Sequence, residues 1–177
     1  MKKMLVFAMM GLVALGFYSC GDDEDDGPTL KDVTLTYSVN LPQNNTYAAV
    51  AQKIDSTQIC NAFGGITYAQ FVDYLGDKIK YYAIKADGTK DETAPTANGN
   101  GHWFDANGAV CTWGSGNAMI YSEYVDDKFT FNIGQYPDKT SVGNTFTIRQ
   151  GFEYSPDATS KALATIVFNI TITAAGK

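Results

Sequence analysis

The sequence predicts a mostly β protein, an antiparallel β-sandwich of jelly-roll or immunoglobulin-like kind with one or two short helices within residues 47–76. Three observations lead there. Apolar residues recur at every second position in several segments of strand length, the signature of a half-buried strand. Turn dipeptides and clusters of Gly, Pro, Asn and Asp separate those segments at the spacing of an all-β domain. Finally, Asn107-Gly108 stands at the centre of Gly101–Gly114, a stretch that holds both tryptophans and the only histidine. Asn-Gly between alternating residues is the strongest short-range hairpin signal, because a type I′ turn needs positive φ at both central positions.

The elements follow in order. Val33, Leu35, Tyr37 and Val39 alternate with Asp32, Thr34, Thr36 and Ser38, a strand that Pro42 and Asn44-Asn45 end. Tyr47 to Phe63 changes character: it is rich in Ala, Gln and Lys, Asp55 or Ser56 offers a cap for a short helix within it, and Gly64-Gly65 closes it. Thr67-Tyr68-Ala69-Gln70 matches a capping box, and Phe71, Val72 and Leu75 give the short helix behind it an apolar side that ends at Gly76. Strands resume at Ile79–Lys85, with Asp87-Gly88 as a turn and Thr89–Gly101 as an exposed loop. After the central hairpin come Ala118–Val125 and then Lys128–Gly134, with Phe129, Phe131 and Ile133 on one side. Gln135–Gly143 is a turn-rich loop around Tyr136-Pro137. Asn144–Phe152 puts Phe146 and Ile148 on one face, and Ala162–Thr173 sets Ile166, Phe168, Ile170 and Ile172 against Thr165, Asn169 and Thr171. About eight short strands result.

In the central hairpin, a two-residue turn at Asn107-Gly108 pairs Ala106 with Ala109, Asp105 with Val110, Phe104 with Cys111 and Trp103 with Thr112. Paired residues share a face. Phe104, Cys111, His102 and Trp113 then lie on one side, and Trp103, Asp105, Val110 and Thr112 on the other.

The N-terminal segment says where the chain belongs. Residues 1–19 read as an export signal: Lys2 and Lys3, the apolar run Met4 to Phe17, then Ser19. That run is shorter than the ~20 residues that span a bilayer. Phe17-Tyr18-Ser19-Cys20 resembles a bacterial lipobox, which makes Cys20 the lipidated first residue of the mature protein, with Phe17 where leucine is common. Acyl chains contribute ~0.8 kcal/mol per buried methylene, enough in combination to hold a protein on a membrane without a helix. Residues 20–29 then form an acidic tether, since Asp22-Asp23-Glu24-Asp25-Asp26 repels itself and stays extended. The block is similar to the acidic signal that sends lipoproteins of gut-type Gram-negative bacteria to the outer face of the outer membrane. Residues 30–177 remain as one β-sandwich domain. The chain carries a formal charge of −6 and shows no basic stripe, which argues against a nucleic-acid partner. Membrane contact is expected through the lipid anchor alone.

Tyr81-Tyr82-Ala83-Ile84, Gly101-His-Trp-Phe-Asp-Ala-Asn-Gly108, Trp113-Gly114, Phe131-Asn-Ile-Gly-Gln-Tyr-Pro137 and Gly143-Asn-Thr-Phe-Thr-Ile148 together resemble a family of domains of unknown function. Such domains occur in surface lipoproteins and glycan-processing proteins of the same bacteria. The resemblance covers roughly residues 31–174. It implies a β-sandwich in a polysaccharide-utilisation setting and carries no catalytic residue to transfer.

The residues themselves favour binding over catalysis. Sugar rings present apolar C–H faces on which flat aromatic side chains stack, while acids and amides reach the hydroxyls; aromatics also anchor binding sites generally. Trp103 with Asp105, and Tyr121 with Glu123 on the next strand, are expected to form a shallow patch with Trp113 or Tyr136 at its rim. The expected ligand is a polysaccharide or oligosaccharide. The alternative is a structural subunit whose aromatic patch docks another outer-membrane protein, since an exposed apolar patch serves either role. A glycan hydrolase ranks below both. It would need two carboxyl groups across a cleft, for which Asp105, Glu123, Asp126 and Asp127 are the candidates. No catalytic residue is assigned: His102 as a base has no nucleophile elbow at Gly114-Ser115-Gly116. No cofactor and no metal is expected, because Cys60, His102 and Cys111 lack paired ligand spacing. Cys60 and Cys111 form either a disulfide or two buried thiols.

Overall fold

The computed structural model describes residues 29–92, 101–125 and 129–175. Among the described residues ten strands form two five-stranded sheets that pack together as a β-sandwich. The chain enters at Leu30, which bridges to Phe63, and Lys31 N–H donates to the Ala62 carbonyl at 2.9 Å. β1 (Val33–Pro42) then runs the length of the molecule, roughly 33 Å at the rise of an extended strand. β2 (Ala49–Lys53) returns in the other sheet. Two helices, α1 (Ser56–Ala62) and α2 (Tyr68–Tyr74), cover the end where the chain enters. β3 (Ile79–Ile84), β4 (Lys90–Asp91), β5 (Gly101–Phe104), β6 (Val110–Cys111), β7 (Ile120–Val125), β8 (Thr130–Gln135), β9 (Thr145–Tyr154) and β10 (Ala162–Thr173) complete it. The first sheet has the order β1-β10-β9-β3-β4 and the second β2-β8-β7-β5-β6.

Period-two patterning produces the core. Phe146, Ile148 and Phe152 of β9 face inward with Ile166, Phe168, Ile170 and Ile172 of β10, and all seven are buried. Phe131 of the second sheet reaches across to Phe168 at a centroid distance of 5.2 Å. The helical end is closed by aromatic packing: Phe71 of α2 is fully buried, 4.7 Å from Phe129 and 5.2 Å from Phe152. Both helix starts carry the caps that their sequences announce. The Asp55 carboxylate accepts from Thr57 N–H (3.0 Å) and Gln58 N–H (3.3 Å), and the Thr67–Gln70 box is reciprocal. Each cap contributes about 1 kcal/mol. Among the described residues no helix is long and apolar enough to cross a membrane.

Three expectations are corrected, and one segment divides. The short helix expected within Tyr47 to Phe63 starts at Ser56 with Asp55 as its cap, while Ala49–Lys53 before it is β2, because pairing with β8 outweighs the weak local preference of Ala and Gln. The sheets are not wholly antiparallel, since β1 pairs with β10 in parallel, Val33 opposite Ala164. The strands among the described residues number ten, with β4 and β6 only two residues each. The hairpin register also differs by one residue: Trp103 pairs with Cys111 and Phe104 with Val110. Gly108 has φ +76° and Asn107 is not among the positive-φ residues, so the turn is not type I′. Gly108 N–H donates to the Asp105 carbonyl at 3.1 Å and Asp105 N–H to the Ala109 carbonyl at 2.9 Å. This is a three-residue loop with a glycine in the left-handed region, the next commonest hairpin class. The shift puts Cys111 on the face of Trp103, not of Phe104.

Candidate functional site

The new register sorts the side chains of β5 and β7. Phe104 and His102 point into the sandwich with Ile120 and Ser122, all four buried. Trp103 and Tyr121, also paired, lie on the outer face of the second sheet with ring centroids 5.0 Å apart. Tyr121 is opposite Gly134 of β8, and its ring lies over that glycine: a Cβ there would stand 2.2 Å from a Tyr121 ring carbon. The missing side chain at Gly134 is what lets Tyr121 lie flat on the sheet.

Two loops bring further rings to this place. Gln135 Nε2 donates to the Pro42 carbonyl at 2.7 Å, and its Oε1 accepts from the Thr140 hydroxyl. Gln43 Nε2 donates to the Thr140 carbonyl, also at 2.7 Å. These amides, Gln135 buried and Gln43 half-buried, lock residues 43–48 to residues 136–140, so Tyr47 and Tyr136 meet at 5.6 Å, edge to face. Tyr136 lies 5.6 Å and Tyr47 6.2 Å from Trp103, and the Tyr121 hydroxyl donates to the Tyr47 carbonyl at 2.6 Å. A side-chain hydrogen bond to Tyr47 raises the pKa of the Tyr136 hydroxyl. Burial, and then the charge of Glu123, raises that of Tyr121.

Four of the expected residues, Trp103, Tyr121, Tyr136 and Glu123, therefore share one region. Trp103 stands at the back of it, only 8% exposed, whereas Tyr47 is 47% exposed and forms the outward surface. Sequence reasoning missed Tyr47, which lies ahead of the helix cap expected at Asp55 or Ser56; the Asn44-Asn45 turn before it was the available signal. Two other expected residues stand apart. The Asp105 carboxylate accepts from Asn107 N–H (2.8 Å) and Ala109 N–H (3.0 Å) and so holds the hairpin loop. Trp113 follows the end of β6 in a turn closed by Ser115 N–H on the Thr112 carbonyl; it is 59% exposed and makes no ring contact among the described residues. Cys20, Asp126 and Asp127 lie outside the described residues.

Beside the aromatic cluster, one step along the strands, Asn132 of β8 pairs with Glu123 of β7 on the same outer face. Asn132 is flanked by Ala51 and Glu123 by Gly101. The polar pair is thus bracketed by residues with little or no side chain and opens to solvent.

Inside the sandwich, Tyr81 and Gln150 project from the first sheet toward His102 of the second, with Tyr81 5.1 Å from the imidazole. His102 is 2% exposed, and burial pushes its pKa down to about 4, against the opposing influence of the Gln150 amide and the Asp91 charge. Cys60 and Cys111 are both free thiols. Cys60 belongs to α1 at the entry end and Cys111 to the hairpin at the other. Among the described residues no three His, Cys, Asp or Glu side chains are grouped to hold a metal ion.

A family model described as "Domain of unknown function (DUF4859)" matches residues 46–160, about two thirds of the chain. The match includes the whole aromatic cluster and the Asn132–Glu123 pair but neither β1 nor β10. No curated protein matches the chain.

Proposed function

We propose that this chain, which belongs to the DUF4859 family of domains of unknown function, is a non-catalytic surface lipoprotein that holds a polysaccharide or oligosaccharide on the outer face of its second sheet. The observation that carries the reading is the Tyr47–Trp103–Tyr121–Tyr136 cluster, with one well-exposed ring beside an open amide–carboxylate pair. Rings packed against one another lose little entropy on binding and present a rigid apolar surface, while the pair beside them supplies hydroxyl partners. The position of the cluster suits a tethered protein. β1 carries the chain from the helical end to the loop that bears Tyr47, so an anchor before Leu30 leaves the cluster at the far end of the molecule.

Full-length protein titrated with a glycan panel, followed by tryptophan fluorescence, tests the binding. Trp103 lies behind Tyr47 and reports contact there, and Trp113→Phe removes the exposed background. Tyr47→Ala is expected to weaken binding by about 10- to 100-fold with unchanged melting temperature. Trp103→Ala is a poorer probe, because emptying a buried site costs about 3–5 kcal/mol of stability. The exposed Trp113 favours the second reading, docking of another outer-membrane protein; a folded chain that answers no glycan would turn the assignment that way. Anchoring has its own test. Cys20→Ser should move the protein almost wholly from the membrane fraction to the soluble one, and retention in the membrane would contradict lipidation at Cys20.

A further inference from the structure

We infer that this face selects an uncharged glycan, neither uronate nor sulfated, with Asn132 and Glu123 reading its hydroxyls; the inference rests on the carbohydrate reading above. The face is built in rows. Ala49, Gly134, Tyr121, Trp103 and Cys111 form one row across the sheet, and Ala51, Asn132, Glu123 and Gly101 form the next. Successive rows are two residues apart along each strand, roughly 6.6 Å. A ring seated against the aromatic row therefore has its hydroxyls, or those of the next ring, over Asn132 and Glu123.

The chemistry of that pair suits hydroxyls. An amide offers two N–H donors and an acceptor, and a carboxylate only accepts, so together they serve vicinal hydroxyls, which both donate and accept. Among the described residues Glu123 makes no salt bridge, and neither side chain has a hydrogen-bond partner. Both are available to a ligand.

The charges exclude anionic sugars. Carboxylates and sulfates are bound through arginine forks or lysine clusters. Here the row nearest the aromatics holds a carboxylate at its centre; among the described residues the nearby cations are Lys53, a further row away opposite Thr130, and Lys139, beyond Tyr136 with its ammonium 3.4 Å from the Gly116 carbonyl. The only arginine of the sequence, Arg149, lines a groove of about 360 Å³ on the other sheet with Thr34, Thr165 and Val167. A uronate or sulfate over Asn132 would meet Glu123 as a like charge, with no cation among the described residues in the row of the pair.

The test is affinity electrophoresis of the full-length chain in gels containing galactomannan, xyloglucan or yeast mannan, against polygalacturonate and chondroitin sulfate, at low and high salt. A neutral glycan should retard the protein with little salt dependence. Glu123→Lys should weaken that interaction at least tenfold and confer salt-sensitive retardation by polygalacturonate; Glu123 is exposed, so the variant should melt as wild type does. Wild-type binding that is strongest to an acidic glycan would overturn the inference and leave the carbohydrate reading standing. Neutral binding untouched by both Glu123→Lys and Asn132→Ala would remove the pair from the site. Retardation by no glycan, in a folded protein, would sink the inference and the reading together.

Discussion

Gly108→Ala should destabilise the fold by about 3–5 kcal/mol, against about 1–2 kcal/mol for Gly88→Ala. Both glycines close hairpins in the left-handed region, with φ of +76° and +85°. A side chain at either therefore carries a similar backbone penalty. Their surroundings differ. A Cβ at Gly88 meets nothing within 4 Å, whereas one at Gly108 would lie 2.1 Å from the Thr147 carbonyl oxygen. Thr147 belongs to β9 of the opposite sheet, and β3 pairs with β9 only as far as Ala83 opposite Gln150. The tip of the β5–β6 hairpin thus covers β9 where β3 has ended and joins the two sheets at that edge. Because the obstacle is backbone, it cannot swing aside as a side chain would. Thermal unfolding of the two variants is the measurement, and each kcal/mol corresponds to roughly 2–4 °C at this size. Equal losses would mean that the hairpin tip does not seat on Thr147.

Acidification from about pH 6.5 to pH 4 should remove roughly 3 kcal/mol of stability through His102 alone. The folded pKa is lowered to about 4 from an ordinary 6.5, chiefly because burial disfavours the imidazolium. The unfolded chain therefore takes up the proton first as pH falls. Stability from the neutral imidazole is fully present above pH 6.5 and is lost progressively down to about 4. The groups around the ring do not rescue the charge: Tyr81 from β3 and Phe104 on its own strand are the ring neighbours, Gln150 from β9 is neutral, and Asp91 from β4 offsets burial only in part. The carboxylates of Asp55 and Asp87, held below their ordinary 3.8 by hydrogen bonds to Gln58 and Thr89, lose their contributions only at lower pH. Of the described groups whose pKa is shifted, His102 is the one whose contribution is lost between pH 6.5 and 4. Denaturant unfolding across that range should show the slope in wild type and a flat profile in His102→Gln. The same slope in both would place the titrating group elsewhere.

The aromatic site shows how far sequence reasoning reaches. Trp103, Tyr121, Glu123 and Tyr136 were legible because period two assigns faces within a strand and aromatics beside acids suggest binding. Tyr47 was not, for it joins the cluster through a loop fixed by Gln43, Gln135 and Thr140, and their contacts span more than ninety positions to residues 42 and 43. Asn132 was hidden likewise: nothing local says that it stands opposite Glu123.

By itself the sequence determined the β class, the two helix caps, the inward sets of β9 and β10, and the hairpin about Asn107-Gly108. Each of these is a local matter of periodicity, side-chain-to-backbone hydrogen bonding or glycine conformation. Only the tertiary structure decided the hairpin register, the parallel pairing of β1 with β10, the strand at Ala49–Lys53 and the company that Trp103 keeps. Those depend on which strands lie side by side, and a one-residue difference in loop type moves paired side chains to opposite faces. Within the loop, Asp105 accepts from Asn107 and Ala109 N–H, while Gly108 also seats against Thr147, a contact between residues 39 positions apart that no local pattern records.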